Sequence, residues 1–376
     1  VVHREFQVVI VTPALADANN GNWRTARRWA TMLAPAYRVR LTQHWRAGDA
    51  AAAGDDLMIA LHARRSAASI AAWRAAHPHA HSSSPSNSPS NSSICSTMSS
   101  PTISPSSPPS GLHAPLLLAL TGTDLYRDID DDADAQRSLA LADRLVVLNE
   151  LGAARLPEVY RGRCEVVLQS CSARQPVLAK PRGFLRALMV GHLRGEKDPA
   201  TWFRAIRSLR HRADLRFDHI GEPLDAALAE EARALMAGTP AYRWLGGRPH
   251  AEVRRRIQAA HVLVHPSVME GGAQVVIEAM RSGTPVLASR MDGNVGLLGA
   301  DYGGYFAVGD HRALAALLER ARDEAAMLPA LVRQIERRAP LFAPEAEAAT
   351  LHRLVRALLA AEPGRPHVAP AAGDTR

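Results

Sequence analysis

Apolar residues along the chain come in short runs separated by stretches of helical period. Phe6–Thr12, Tyr37–His44, Asp56–His62 and Leu116–Thr121 are strand-length, and turn residues such as Asn19, Asn20 and Gly21 interrupt them. Amphipathic segments lie between them: one begins near Trp23, another covers Ser66–Ala76 and a third Ala133–Ala142. Arg144–Leu148 and Val166–Leu168 read as two further strands. Strands that alternate with helices predict a parallel sheet covered on both faces.

The same rhythm starts again at Phe184–Val190. It runs through a helix over Pro199–Leu209, a strand at Leu215–Ile220, a helix over Leu224–Met236, a strand at Tyr242–Leu245 and a helix over Ala251–Ala259. Val262–His265, a helix over Ala273–Ser282 and Pro285–Ser289 complete it. The expected fold class is therefore α/β, with two doubly wound, Rossmann-like domains. The first is expected over 1–178 and the second over 179–340. An amphipathic helical segment over 341–362 is expected to pack back across the junction, and 363–376 to be a disordered tail. The stretch 79–113 departs from this pattern. From Ser82 to Ser110 it is about half serine, rich in proline and uncharged, so it cannot build a core. It reads as an insertion between a helix and a strand, either a disordered surface loop or an out-of-frame stretch.

A chain of 376 residues, 47% hydrophobic and 22% charged, suits two packed domains, and no apolar run approaches bilayer length. Stable membrane insertion is not expected. The start of the sequence lacks the pattern of a secretory signal, and three unpaired cysteines suit a reducing compartment, so the expected location is cytoplasmic. The net charge of +8 is spread along the chain without a basic stripe, which argues against nucleic acid and for a small anionic substrate. Of 45 basic residues only Lys180 and Lys197 are lysines, which draws attention to Lys197.

The richest candidate chemistry follows the strand Val262–His265. Pro266-Ser267-Val268-Met269-Glu270-Gly271-Gly272-Ala273 leads into a helix carrying Glu278, and Gly283-Thr284-Pro285-Val286 follows. Gly271 and Gly272 let backbone approach a ligand, and free N–H groups at the helix start through Ala273 suit a diphosphate. Glu278 lies one to two turns further on, where a carboxylate can accept from ribose hydroxyls.

This stretch resembles the family 4 retaining glycosyltransferases, whose two glutamates eight residues apart sit in the same setting. The resemblance implies the GT-B architecture, in which two such domains face a central cleft. It implies that Glu278 holds the ribose of a UDP-sugar and that Glu270 lies beside the donor sugar as a catalytic residue. The family's Gly-Arg and lysine after the first strand of this domain correspond to Gly191-His192-Leu193-Arg194-Gly195-Glu196-Lys197. Lys197 matches the diphosphate lysine. His192 replaces the arginine, so Arg194, or a protonated His192, is the candidate second phosphate ligand. Base recognition is expected near Gly247 and Arg248. The UDP-sugar is a co-substrate, and neither cofactor nor metal is expected.

Acceptor specificity is expected in the first domain. Asn20, Gly21, Asn22 and Arg24 follow its first strand, His62, Arg64 and Arg65 its third, and Thr123 and Asp124 its fourth, which concentrates cations where strands end. Ala60–Ser66, Leu120–Asp128, Met269–Ala273 and Gly293–Gly299 together resemble the selenosugar synthases of selenoneine biosynthesis. That family couples selenophosphate with a UDP-sugar such as UDP-N-acetylglucosamine. The resemblance implies Arg24, His62, Arg64 and Thr123 as phosphate ligands, and His62 or Asp124 as a general base. The alternatives are an ordinary family 4 transferase acting on a glycan or lipid, a UDP-sugar epimerase, and a non-catalytic nucleotide-sugar sensor.

Overall fold

The structure, a computed structural model, describes residues 5–15, 21–78, 114–177 and 179–360. The insertion at 79–113, the tail at 363–376 and Asn20 lie outside the described residues. No described helix is long and apolar enough to cross a membrane.

Two six-stranded parallel sheets are present. The first contains β1 (Gln7–Val11), β2 (Arg38–Thr42), β3 (Leu57–Leu61), β4 (Leu116–Leu120), β5 (Arg144–Val147) and β6 (Cys164–Val166), in the order β2-β1-β3-β4-β5-β6. Its central strands are apolar on both sides: every residue of β3 and β4 is buried. One face packs on the helices Ala67–Ala76 and Ala133–Leu141 through Ile70, Trp73, Ala135 and Leu139. The other packs on the helix Gly21–Leu33. β6 lies two residues earlier than the apolar run Val166–Leu168 suggests, because this edge strand is only half-buried and carries no continuous apolar stretch.

The second sheet contains β7 (Leu185–Val190), β8 (Leu215–Ile220), β9 (Tyr242–Trp244), β10 (Val262–His265), β11 (Val286–Ser289) and β12 (Tyr305–Phe306), in the order β12-β11-β10-β7-β8-β9. Strand order reverses between β7 and β10, the classical location of a ligand crevice in such sheets. In the first sheet it reverses between β1 and β3. Loops leaving the carboxyl ends of β7 and β10 therefore carry Lys197 and Glu270, the loop leaving β3 carries His62, and Arg24 lies in the first turn of the helix Gly21–Leu33 that follows β1.

The helix Pro344–Ala360 returns to the first sheet, where Leu351, Leu354, Val355 and Leu358 join the core around Val8, Ile10 and Trp29. Glu347, near its start, is 2% exposed. Its carboxylate accepts from Arg28 Nε at 2.8 Å, Trp29 Nε1 at 2.7 Å and Ser170 N at 2.8 Å. A buried carboxylate with this many donors ties three segments together.

Candidate active site

The loop after β7 is held from below. His219 is fully buried on β8, and its Nε2 meets the Gly191 carbonyl at 3.0 Å. A Cβ on Gly221 would stand 1.9 Å from that carbonyl oxygen, so only glycine fits there. The loop then passes through a short turn, Gly195–Lys197, to Asp198. Asp198 takes a left-handed conformation (φ 45°) and caps the helix Pro199–Ser208 by accepting from Thr201 N. The Lys197 stem runs along Gly191, and its ammonium pairs with Glu270 Oε1.

Glu270 also accepts from Ser267 Oγ at 3.0 Å, and His265 Nε2 lies 3.6 Å away. Burial raises the Glu270 carboxyl, but Lys197 and the Ser267 hydrogen bond outweigh it and hold it below the ordinary glutamate range. Burial pushes His265 down to about 4, so its imidazole is neutral. Its Nε2 is buried without a hydrogen-bond partner among the described residues. One cation, one anion and one neutral imidazole thus meet at the reversal point of the sheet.

Glu278 stands on the helix Gln274–Met280 and is 1% exposed. Its Oε1 lies 2.6 Å from His250 Nε2, while its Oε2 is buried with no partner among the described residues. The start of this helix has no side-chain cap at Ala273. His250 was not anticipated: it opens the helix His250–Ala259, the one before the helix of Glu278, and nothing in local spacing connects residues 28 apart in sequence.

Burial, followed by Arg194 and Lys197, lowers the pKa of His192, which favours the neutral ring over the protonated form weighed beside Arg194 from the sequence. Its Nδ1 accepts from Glu222 N at 3.0 Å, which leaves a neutral ring with Nε2–H as its donor. Arg24 of the first domain is close enough to contribute to the same lowering, which places it across the cleft from the β7 loop. Arg194 is partly exposed beside Glu196. Gly247 lies against the Glu222 side chain, whereas Arg248 is exposed and lies 3.9 Å from Glu252 on the helix that follows it.

Gly271 and Gly272 also need a second explanation. A Cβ on Gly271 would lie 2.5 Å from the Thr121 carbonyl carbon and oxygen, and one on Gly272 would lie 2.9 Å from Leu148 Cβ. The glycine turn is pressed against the first domain. Asn149, fully buried, donates to the Gly271 carbonyl at 2.7 Å and to Tyr126 Oη at 2.9 Å. These glycines therefore let the two domains close on one another.

On the first-domain side, His62 adopts positive φ (74°) at the end of β3, and burial keeps its pKa low. Its Nδ1 accepts from Arg65 N at 3.4 Å, so Nε2 carries the proton and donates to Thr123 Oγ1 at 3.0 Å. This pair lines the cleft end of β3 and β4. Asp124 has a different place from that of a catalytic base. It is fully buried and accepts from Thr121 N at 2.9 Å, Gly122 N at 2.8 Å and Ala63 N at 3.0 Å. Those bonds staple the loops after β3 and β4, and neither carboxylate oxygen reaches the cleft. Arg64 is 55% exposed and bound to Asp132 at 2.9 Å, and its charge lies near enough to His62 to act on the imidazole. Gly21 and Asn22 open the helix Gly21–Leu33, where Thr25 Oγ1 donates to the Gly21 carbonyl at 3.0 Å.

Residues 172–338, nearly the whole second domain, match the family model of glycosyl transferases group 1. The second domain is thus similar to the group 1 glycosyl transferases. The fold of the chain as a whole is similar to solved GT-B structures. One is the sucrose-phosphate synthase of Thermosynechococcus elongatus (18% identity, TM-score 0.69, covering 95% of this chain and 100% of that one). Another is HepE of Anabaena in complex with UDP (13% identity, TM-score 0.67, 94% and 100% covered). Among curated proteins, the D-inositol 3-phosphate glycosyltransferase of Corynebacterium kroppenstedtii is 28% identical over 176 residues, 40% of this chain and 39% of that protein. The enzyme of that name from Corynebacterium diphtheriae is 36% identical over 112 residues, 28% of this chain and 26% of that protein. The chain thus matches well under half the length of these relatives.

Proposed function

We propose that the protein is a glycosyltransferase that moves a hexose or hexosamine from a UDP-sugar to a small phosphate-bearing acceptor, and that this acceptor is selenophosphate. The observation that carries the donor half is the pairing of Lys197 with Glu270 where strand order reverses between β7 and β10, with the unpartnered buried oxygen of Glu278 on the helix that follows. Similarity to the group 1 glycosyl transferases supports it, as does a fold shared with a protein solved with UDP.

When the sugar–phosphate bond breaks, negative charge gathers on the departing UDP while the sugar becomes cation-like. Lys197, released from Glu270 by the incoming diphosphate, neutralises the first. Glu270, whose charge is retained because its pKa is low, stabilises the second. A preorganised group of this kind is worth on the order of 3 kcal/mol in the transition state. The acceptor enters from the side of Arg24, His62 and Thr123, with front-face attack and retention at the anomeric carbon. With selenophosphate, selenium forms the new bond to carbon as UDP leaves, and water then splits selenium from phosphorus to give a selenol sugar and phosphate. Selenium needs no strong base, in keeping with a neutral His62 and with Asp124 being used up in its loop.

A second acceptor, an inositol phosphate, is favoured by the similarity to D-inositol 3-phosphate glycosyltransferases and presents the same phosphate group to the cleft. Incubation with UDP-N-acetylglucosamine and either selenophosphate or inositol 3-phosphate separates the two by mass spectrometry. A selenosugar plus UDP is the expected outcome. A glycosylated inositol phosphate would replace the acceptor reading, and an epimerised UDP-sugar would replace transfer altogether.

A further inference from the structure

Among the described residues, Glu278 is the carboxylate at this site with the most uneven surroundings. One oxygen is 2.6 Å from His250 Nε2, and the other is buried with nothing to accept from. With a carboxylate oxygen as the acceptor, His250 Nε2 is the donor of this contact. The imidazole is 49% exposed on its side chain, while the carboxylate beneath it is 1% exposed, so the ring lies over Glu278 at the edge of the cleft. His250 is delivered by the turn after β9, where Gly246 takes positive φ (68°) and accepts from Gly221 N at 3.0 Å. The histidine is thus tied to the scaffold that also positions the β7 loop.

A buried carboxylate oxygen without a donor is costly and is kept where a ligand supplies the donor. We infer that His250 is a positioning residue of the donor site: it fixes Glu278 through Oε1 so that Oε2 is presented to a single ribose hydroxyl of the nucleotide. This rests on the donor reading above and adds a residue and a geometry to it. With Oε1 held, the carboxylate cannot swing to solvent or turn both oxygens outward. Discrimination against a nucleotide lacking that hydroxyl then depends on His250 even though His250 does not touch the phosphates.

Calorimetric titration of UDP, 2′-deoxy-UDP, 3′-deoxy-UDP and inorganic pyrophosphate into the parent protein and into His250→Ala and His250→Gln tests this. The parent is expected to bind UDP about tenfold better than one of the two deoxy nucleotides, the scale of one charge-assisted hydrogen bond. H250A should weaken UDP about tenfold and erase that preference while leaving pyrophosphate unchanged, and H250Q, which keeps a donor, should recover part of both. Melting curves establish that each variant is folded, and H250Q alone carries the comparison if H250A is not. If H250A and H250Q bind UDP as the parent does while Glu278→Ala does not, the histidine is merely structural and the inference is overturned with the donor reading intact. If the parent binds no UDP, the donor reading fails first and this inference with it.

Discussion

Replacing Gly271 by alanine adds one methyl group at the place where the two domains touch. Its carbon would stand 2.5 Å from the carbonyl carbon and oxygen of Thr121 and 2.7 Å from Gly122 N, all backbone atoms that cannot rotate aside. Restoring ordinary van der Waals separation requires the glycine turn and the β4 loop to part by roughly 0.9 Å. That turn carries Glu270, and the opposing loop carries Thr123, the partner of His62. A displacement near 1 Å between reacting groups lowers turnover about a hundredfold. The donor side chains all lie in one domain, so UDP affinity should change by less than about threefold, the scale of an undisturbed contact set. Steady-state kinetics read against calorimetry with UDP separate these effects, and Gly238→Ala, at a helix end with nothing within 4 Å of the added carbon, is the control. If G271A kept more than a third of the parent's turnover, the closed contact between the domains would not be the catalytic arrangement. An equal loss of UDP affinity would mean that the glycine serves the ligand alone.

Three further outcomes follow from buried polar groups. Glu347→Ala strands Arg28, Trp29 Nε1 and Ser170 N, and should lower stability by about 3–5 kcal/mol and loosen the terminal helix, measurable by denaturant unfolding and protease sensitivity; an unchanged midpoint would refute the staple. Asp124→Asn puts an amide N–H2 donor where a carboxylate oxygen accepts from backbone N–H groups and should cost about 1–3 kcal/mol of stability, whereas a catalytic base would instead lose activity with stability intact. His219 and His265 are held neutral with pKa values of about 4, against an ordinary 6.5. The unfolded chain therefore binds protons across that window while the folded one does not, so stability should fall as pH drops from 6.5 toward 4, by up to about 3 kcal/mol per histidine. Unfolding midpoints that stay level from pH 7 to pH 5 would contradict this.

The sheets were legible because their strands are buried on both faces and so appear as unbroken apolar runs, as in Leu57–Leu61 and Val262–His265. Elements without such a run were not. The helix Asp292–Leu298 contains two glycines, which oppose helix on propensity, and it is held by Asn294 donating to the Ser289 carbonyl at 2.9 Å. β12 has only two residues, too few to show a period. Lys197, Glu270 and Glu278 stood out because motif and topology place them together. His250 did not, since its tie to Glu278 is a contact between distant segments. Asp124 was misread for a related reason: an aspartate after a strand looks the same in sequence whether it faces a cleft or folds back onto backbone N–H groups. His192 shows the same limit, because only burial and the cations around it decide its charge.

Calorimetry with UDP on the parent chain, Lys197→Met and Glu278→Gln addresses the site at its root. Saturable binding by the parent is expected, weakened on the order of tenfold or more in each variant, as for removal of one charged contact. No heat of binding from a well-folded parent, or equal affinity in all three proteins, would contradict a nucleotide diphosphate held between the loops of β7 and β10.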